Sequence, residues 1–522
     1  MVSLRALAVF IVSLLPCLSA NFGTVVNHNP AFSDMMLDEA RKRLYLLDPV
    51  LSQVDFYNIT SKSPAPSGTV DLEVGCDPPS MALSRPATAG SAPQFLYVAC
   101  YSTSSIDVID LNTLKRTSVT LPANPQAVAV GYDGKVLVST IGTPAGQNIL
   151  TIYDPSPTAT NSLGSVLITP QAPAVPTNPP PNGIPFLANH ARLQPTVDGK
   201  TIVGVHEFAN NTRTVFVYDV ASAQVLRSRT VTVTSPVLAV SPDGSRFLSG
   251  PFLFDTNSMA VLAQQNTTNS PFQFIATANF NLQTNQGGAI FSPDGTQLYT
   301  AYNIVPNLPG VQPNAGHLLV NTPDNLGIEL GVQLSQNLSG KMVITSDGGA
   351  IYALSSSGFV VLPVSTLGST AAPVATPDTN VALLAFDQCG VTAAQNSAAI
   401  PVRSQSGTPL NVTAQVLTAT ATSAGVRTTV KSYGADVTAS FSAGAERTLG
   451  TSPPDQLLIQ AAQAVNIVPT VRIFQNNRNA EAVGAIFPVD TGATTPGLTD
   501  LVADAARQRL YLANPGLNRV EV

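Results

Sequence analysis

Histidine is scarce in this 522-residue chain: His28, His190, His206 and His317 are all it has. Imidazole titrates near neutral pH and ligates metals, so these four residues are the first candidates for acid–base or metal chemistry. His206-Glu207, near the end of the apolar run TIVGVHEF, sets a base beside a carboxylate. Adjacent residues of a strand project to opposite faces, however, so this pair would not converge on one ion. His190 and His206 would instead have to approach each other across neighbouring strands. A lone histidine on a strand is more often a satisfied structural residue. A carboxylate series, Asp133, Asp198, Asp243, Asp294 and Asp347, suggests calcium, but each precedes a glycine in a turn. Asp bonds turn amides, which explains the series more simply. Asp110, Asp154, Asp219 and Asp255 end strands and suit the same role. There is no G-x-S-x-G, HExxH, CxxC pair or phosphate-cradling G-x-x-x-x-G-K. C-x-x-C-H is missing too and tryptophan is absent, so no cofactor and no metal are expected.

The elements that must position these residues are short strands. Val237 to Asp255 reads as strand, Ser-Pro-Asp-Gly turn, strand and a further apolar run. Proline presets the first corner, Asp bonds its own backbone, and glycine accepts the positive φ of a tight hairpin. The unit returns at Ala289 to Ala301, and more loosely at Asp133, Asp198 and Asp347. Two earlier units carry RLYLL (Arg43 to Leu47) and FLYVAC (Phe95 to Cys100). A β-unit recurring roughly every 45 to 55 residues is the mark of a propeller or array. Seven such units of about four strands predict an all-β fold with a seven-bladed β-propeller over residues 21–390. Six or eight blades stay open, because Pro271 to Phe280 supplies material for one more strand pair. Phe22 to Val26 and Val381 to Phe386 are both candidates to close the ring. The proline-rich stretch Thr169 to Pro185 suits a surface loop.

This grammar resembles the YVTN/lactonase-like propellers of exported bacterial proteins, a group with WD40-like architecture. Ser241 to Gly244, Ser292 to Gly295, Phe95 to Ala99 and Val215 to Asp219 carry the likeness. It is specific for fold and poor for function, since these residues build the repeat. The resemblance implies one activity, hydrolysis of a sugar lactone at the channel mouth. Such an enzyme needs His or Glu with Arg converging there, and His190, Arg192, His206 and Glu207 form the group to test.

After Gly390 the grammar changes. Residues 391–490 are rich in Thr, Val, Ser and Ala, with short alternating runs such as LNVTAQVL and TVRIFQN, and read as an immunoglobulin-like β-sandwich. Residues 491–522 start another blade: DLVADAARQRLYLANPGLNRVEV repeats DMMLDEARKRLYLLDPVLSQVDF of Asp34 to Phe56 in register. Either the chain is a piece of a longer tandem protein, the reading taken here, or this hairpin docks onto a sheet edge.

Met1 to Ala20, with Arg5 before an apolar run and small residues at its end, reads as a secretory signal peptide, placing the protein outside the cytoplasm, secreted or in the cell envelope. No later segment is apolar enough to span a membrane. Cys76 and Cys100 make a plausible disulfide, with buried free thiols the alternative, and Cys389 is left over. Sequons at Asn58, Asn210, Asn266, Asn337 and Asn411 matter only in a glycosylating host. Without the signal, 24 basic residues face 31 acidic ones. That balance, with no basic stripe, excludes nucleic acid as an expected partner. The reading is therefore an exported, non-catalytic scaffold that binds a protein or carbohydrate partner, with the lactonase as its rival.

Overall fold

The computed structural model describes residues 20–61, 63–88, 90–140, 149–160, 162–167, 186–208, 212–232, 235, 237–267, 270–282, 285–309, 316–387, 397–417, 426–439, 454–478, 489 and 497–522. Residues 1–19 of the expected signal, the proline-rich 169–185 and Cys389 lie outside them.

Tyr45 and Leu47 explain how the molecule is built. Every residue from Leu44 to Asp48 is buried, although a strand sheltered on one side only would alternate. Leu44 and Leu46 pack with Tyr352, Leu354 and Phe359, while Tyr45 and Leu47 pack with Leu96 and Val98. A single strand thus holds apart two neighbouring sheets, one against each face. The next unit repeats the device: Leu96 and Val98 face back, and Tyr97 and Ala99 face forward to Val128, Val130 and Val138.

Among the described residues, seven four-stranded antiparallel sheets are built this way. Sheet 1 begins at Asp34–Asp38, sheet 2 at Met81–Leu83, sheet 3 at Pro125–Val130 and sheet 4 at Phe186–Pro195. Sheets 5, 6 and 7 begin at Leu238–Val240, Gln286–Phe291 and Leu338–Ile344. An apolar layer joins each sheet to the next, and a final one joins sheet 7 to sheet 1. The first strands also touch in sequence, with Asp34–Asp38 against Leu338–Ile344 completing the circle. The ring is a β-propeller.

The N-terminal segment closes it. Thr24–Asn27 pairs antiparallel with Gly358–Leu362 as the fourth strand of sheet 7. Gly358 has φ 128°, and a Cβ there would meet the Val26 carbonyl oxygen at 2.2 Å, so only glycine lets the closing strand approach. The other candidate does something else. Val381–Asp387 runs parallel to Val471–Arg478 in a sheet outside the ring. Pro271 to Phe280 forms no strand pair either: Phe274 bridges Pro306 alone, and Phe272, Phe274 and Phe280 fill a pocket against Tyr302 and Leu319. Three aromatic side chains repay burial better there than edge hydrogen bonds would.

Two further four-stranded sheets follow the ring, and they include Ala375–Pro377 and Val381–Asp387, which precede residue 390. Leu384, Ile400, Val412, Val437, Leu457 and Ile473 form their common core. The loop between Asp455–Ala461 and Val471–Arg478 lies along the outer strand of sheet 6, where Gln333 N donates to Val465 O (2.9 Å) and Ile467 N to Gly331 O (2.8 Å). That contact covers a sheet edge that would otherwise expose unpaired backbone groups. Asp500–Asp504, Arg509–Asn514 and Arg519–Glu521 form a three-stranded sheet of their own, with Leu501, Val502, Leu510 and Val520 exposed.

Cys76 and Cys100 are joined in a disulfide, both sulfurs fully buried between sheets 1 and 2. Its loop of 24 residues spans the junction between the two sheets. Replacing both cysteines with serine is expected to lower the unfolding free energy by about 2–4 kcal/mol, read from urea melts under non-reducing conditions. Gly358→Ala is expected to cost about 2 kcal/mol or more and to raise protease sensitivity at the amino terminus first. A variant as stable as the wild type would mean that the closing strand tolerates a side chain here.

Candidate functional site: the mouth of the central channel

A cavity of about 720 Å³ opens on the axis of the ring, and all seven first strands line it. Its walls are mostly apolar, from Met36, Leu37, Ala82, Leu83, Val128, Val130, Leu238, Ile290 and Met342. Charge enters through Asp38, Glu39, Arg85, Arg192 and Lys341. An apolar concavity with a few placed polar groups is the usual form of a ligand site.

The rim carboxylates are held by neighbouring sheets. Arg41 Nη1 donates to Asp38 Oδ2 at 3.0 Å and to Pro93 O at 2.6 Å, and its Nη2 donates to Asn112 Oδ1 at 2.6 Å. Tyr45 Oη donates to the same Asp38 oxygen (3.2 Å), and burial first, then the Asp38 charge, pushes that phenol up to about 12. Glu39 Oε1 accepts from Ser346 N of sheet 7 at 2.8 Å. The Glu39-Ala40-Arg41 corner therefore ties sheet 1 to both neighbours. Arg85 Nη2 donates to Val197 O at 2.8 Å, tying sheet 2 to sheet 4's turn. Deeper in, Lys341 Nζ lies 3.4 Å from Asp34 Oδ1. Burial works against the Arg192 charge, and Asp34 works for it.

The sequence candidates are separated by this geometry. Arg192 lines the cavity, whereas His206 is fully buried on the second strand of sheet 4, with its Nδ1 3.1 Å from Ser139 Oγ of sheet 3. Burial pushes His206 down to about 4, so it is neutral at pH 7. The strands Phe186–Pro195 and Thr201–Phe208 carry His190 and Glu207, whose side chains lie outside the described residues. His317 is fully buried as well, 5.1 Å from the Phe274 ring, and burial takes it to about 4.

The Asp-Gly carboxylates stay in their own turns. Asp243 Oδ1 accepts from Ser241 Oγ (2.6 Å) and Ser245 N (3.1 Å), and the Ser241 bond holds its carboxyl below the ordinary range. Asp198, Asp294 and Asp347 are lowered by the equivalent hydroxyl bonds. Asp110 and Asp255 cap turns after strands in the same manner. Glu39, Arg85 and Lys341 were not singled out by sequence, since only ring closure brings them to one mouth. Arg213 was missed too. It is fully buried and donates Nη1 to Ser249 Oγ at 3.0 Å across sheets 4 and 5.

No protein-family model matches the chain, and no curated protein does. Solved structures do resemble it. Hydrazine synthase of Kuenenia stuttgartiensis is 16% identical with a TM-score of 0.44, covering 65% of this chain and 98% of that one. The Cps50 (Swd1) β-propeller domain of Myceliophteria thermophila is 11% identical with a TM-score of 0.44, covering 66% and 99%. A chain of the Mitotic Checkpoint Complex is 11% identical with a TM-score of 0.45, covering 67% and 94%. What makes this chain a propeller is its own cyclic packing.

The two buried histidines set an acid limit. Each has a folded pKa below the ordinary 6.5, so the unfolded chain takes up protons that the folded chain refuses. Stability is then complete above about pH 6.5 and falls as the pH drops towards 4. Each histidine steepens that fall by up to about 1.4 kcal/mol per pH unit. Urea melts across this window should show a shallower slope for His206→Gln or His317→Gln than for wild type, whatever constant offset the substitution adds. Equal slopes would show that neither imidazole is held neutral.

Proposed function

We propose that the protein is an exported, non-catalytic β-propeller that binds a protein or carbohydrate partner at the channel mouth. One observation carries this reading. The only carboxylates lining the cavity, Asp38 and Glu39, are among the described residues bound to turn amides and to Arg41, so they shape the rim and are poorly placed to move protons. A rigid, mixed-charge rim around apolar walls favours recognition. The lactonase reading keeps one support, Arg192 in the cavity wall, but His206 is spent on a buried contact with Ser139.

Export is supported by the signal-like Met1 to Ala20 and by the disulfide, which persists in oxidising compartments. The kinship with YVTN-type repeats rests on the Ser-Pro-Asp-Gly hairpins. We place the ring and the two-sheet unit from Ala375 to Arg478 as separate modules, the second immunoglobulin-like in its two facing sheets. The three-stranded sheet from Asp500 is read as the opening of another repeat. Net acidity argues against nucleic acid.

The purified protein, incubated with a panel of sugar lactones, should open them no faster than buffer. Turnover that disappears in His206→Ala or Arg192→Ala would establish the hydrolase instead. On an array of oligosaccharides and exported proteins, binding by wild type should be lost in Arg85→Glu and Lys341→Glu. Intact mass of the exported chain should begin at Asn21.

A further inference from the structure

A second polar cluster lies away from the channel, at the seam where the ring closes. His28 follows the closing strand Thr24–Asn27, while Asp48 and Asp55 belong to the second and third strands of sheet 1. One ring nitrogen of His28 and one carboxylate oxygen from each aspartate lie within 4.8 Å of one another. His28 Nδ1 donates to Pro30 O at 2.7 Å, which leaves Nε2 as the lone-pair nitrogen of the neutral ring, 3.2 Å from Asp55 Oδ2. A backbone carbonyl fixing one imidazole nitrogen so that the other faces a ligand is the arrangement of metal-binding histidines.

Two observations point to a cation. Asp48 is fully buried; its Oδ1 accepts from Val50 N and Leu51 N, but its Oδ2 has no hydrogen-bond partner among the described residues. A buried carboxylate oxygen without a donor beside a second carboxylate is costly unless a positive charge joins them. The repeated segment at the carboxyl terminus supplies an internal comparison. There Asn514 stands at the position of Asp48 and Glu521 at that of Asp55, and Asn514 Nδ2 donates to Glu521 Oε1 at 2.8 Å. An amide N–H closes the pair in that copy. In the first copy both positions are acidic: Asp55 Oδ1 accepts from Gln53 Nε2 at 2.6 Å, and among the described residues Asp48 Oδ2 lacks the donor role that Asn514 fills in the other copy.

We propose that His28, Asp48 and Asp55 bind a divalent transition cation of the Zn²⁺ type, which clamps the closing segment to sheet 1. One imidazole and two carboxylates form a borderline nitrogen–oxygen set that suits such ions over Mg²⁺ or Ca²⁺. With metal–ligand bonds of about 2.0–2.1 Å, tetrahedral ligand atoms sit roughly 3.3 Å apart, and the His28–Asp55 separation of 3.2 Å already meets that spacing. His28 remains partly exposed, so an ion can enter from solvent.

The test uses the full chain after chelator treatment. Calorimetric titration with Zn²⁺ should show one saturable site, with Mg²⁺ and Ca²⁺ much weaker, and the melting temperature should rise with free Zn²⁺. Asp48→Asn reproduces the carboxyl-terminal copy. It should fold with a metal-free melting temperature at or above that of wild type, yet bind Zn²⁺ at least about 10- to 100-fold more weakly and show no metal-dependent shift. His28→Gln should lose the shift as well. Absence of saturable Zn²⁺ binding in wild type, or equal binding by Asp48→Asn, would overturn the site and leave His28 and Asp55 as a simple ion pair.

Discussion

Every sheet of the ring has to be covered on both faces. A four-stranded sheet whose strands read Arg-Leu-Tyr-Leu-Leu or Phe-Leu-Tyr-Val-Ala-Cys has no side it can give to water. Since side chains alternate along a strand, each such run offers one apolar set forward and one back. A linear stack would satisfy the inner members and strand the two end faces. Closing the stack into a circle removes the ends, and Leu44 and Leu46 meet Phe359 and Leu354 for that reason. The channel and its lining by all seven first strands follow from this single demand.

Polar interactions also tie sheet 1 to its neighbours and close the ring. Glu39 reaches Ser346 of sheet 7, Arg41 reaches Pro93 and Asn112 of sheet 2, and the strand Thr24–Asn27 completes sheet 7 from the opposite end of the chain. Bonds between residues this far apart in sequence are entropically dear to form and hold the structure together once formed. Among the described residues, the carboxyl-terminal copy of the same corner has no such neighbour to hold. Its Arg507 pairs only with Asp504, at 2.7 Å, among the described residues, and its apolar side chains stay exposed. One sequence motif thus behaves differently in two places because, among the described residues, packing partners exist in only one.

The channel mouth and the closure seam differ in character. At the mouth the carboxylates are held by arginine and backbone donors. At the seam, Asp48 keeps an oxygen unanswered beside another carboxylate, which suits an ion. Asp55 is correspondingly pushed up, by burial before any other cause.

Much of the architecture was legible in local chemistry. Ser-Pro-Asp-Gly specifies its hairpin because proline, aspartate and glycine each meet one backbone need within four residues; Gly244 takes φ 70° and Asp243 bonds its own turn. Doubly covered strands were legible too, in apolar runs that do not alternate. The partner of Thr24–Asn27 was not, since an edge strand carries no mark of which distant edge it will join. The same holds for Val381–Asp387, an apolar run of ordinary strand type that tertiary packing set beside Val471–Arg478 rather than in the ring. His206 and Glu207 looked like a reactive pair in one dimension, yet burial against Ser139 made the histidine a neutral core residue. His28 was a candidate only as one of four histidines, and nothing marked Asp48 and Asp55 as its partners, because the closing segment and sheet 1 become neighbours only when the circle shuts. Sequence determined what each short segment could be, through contacts made within it. Tertiary structure decided which charges meet, because the electrostatic surroundings of a side chain are set by neighbours that the chain brings in from far away.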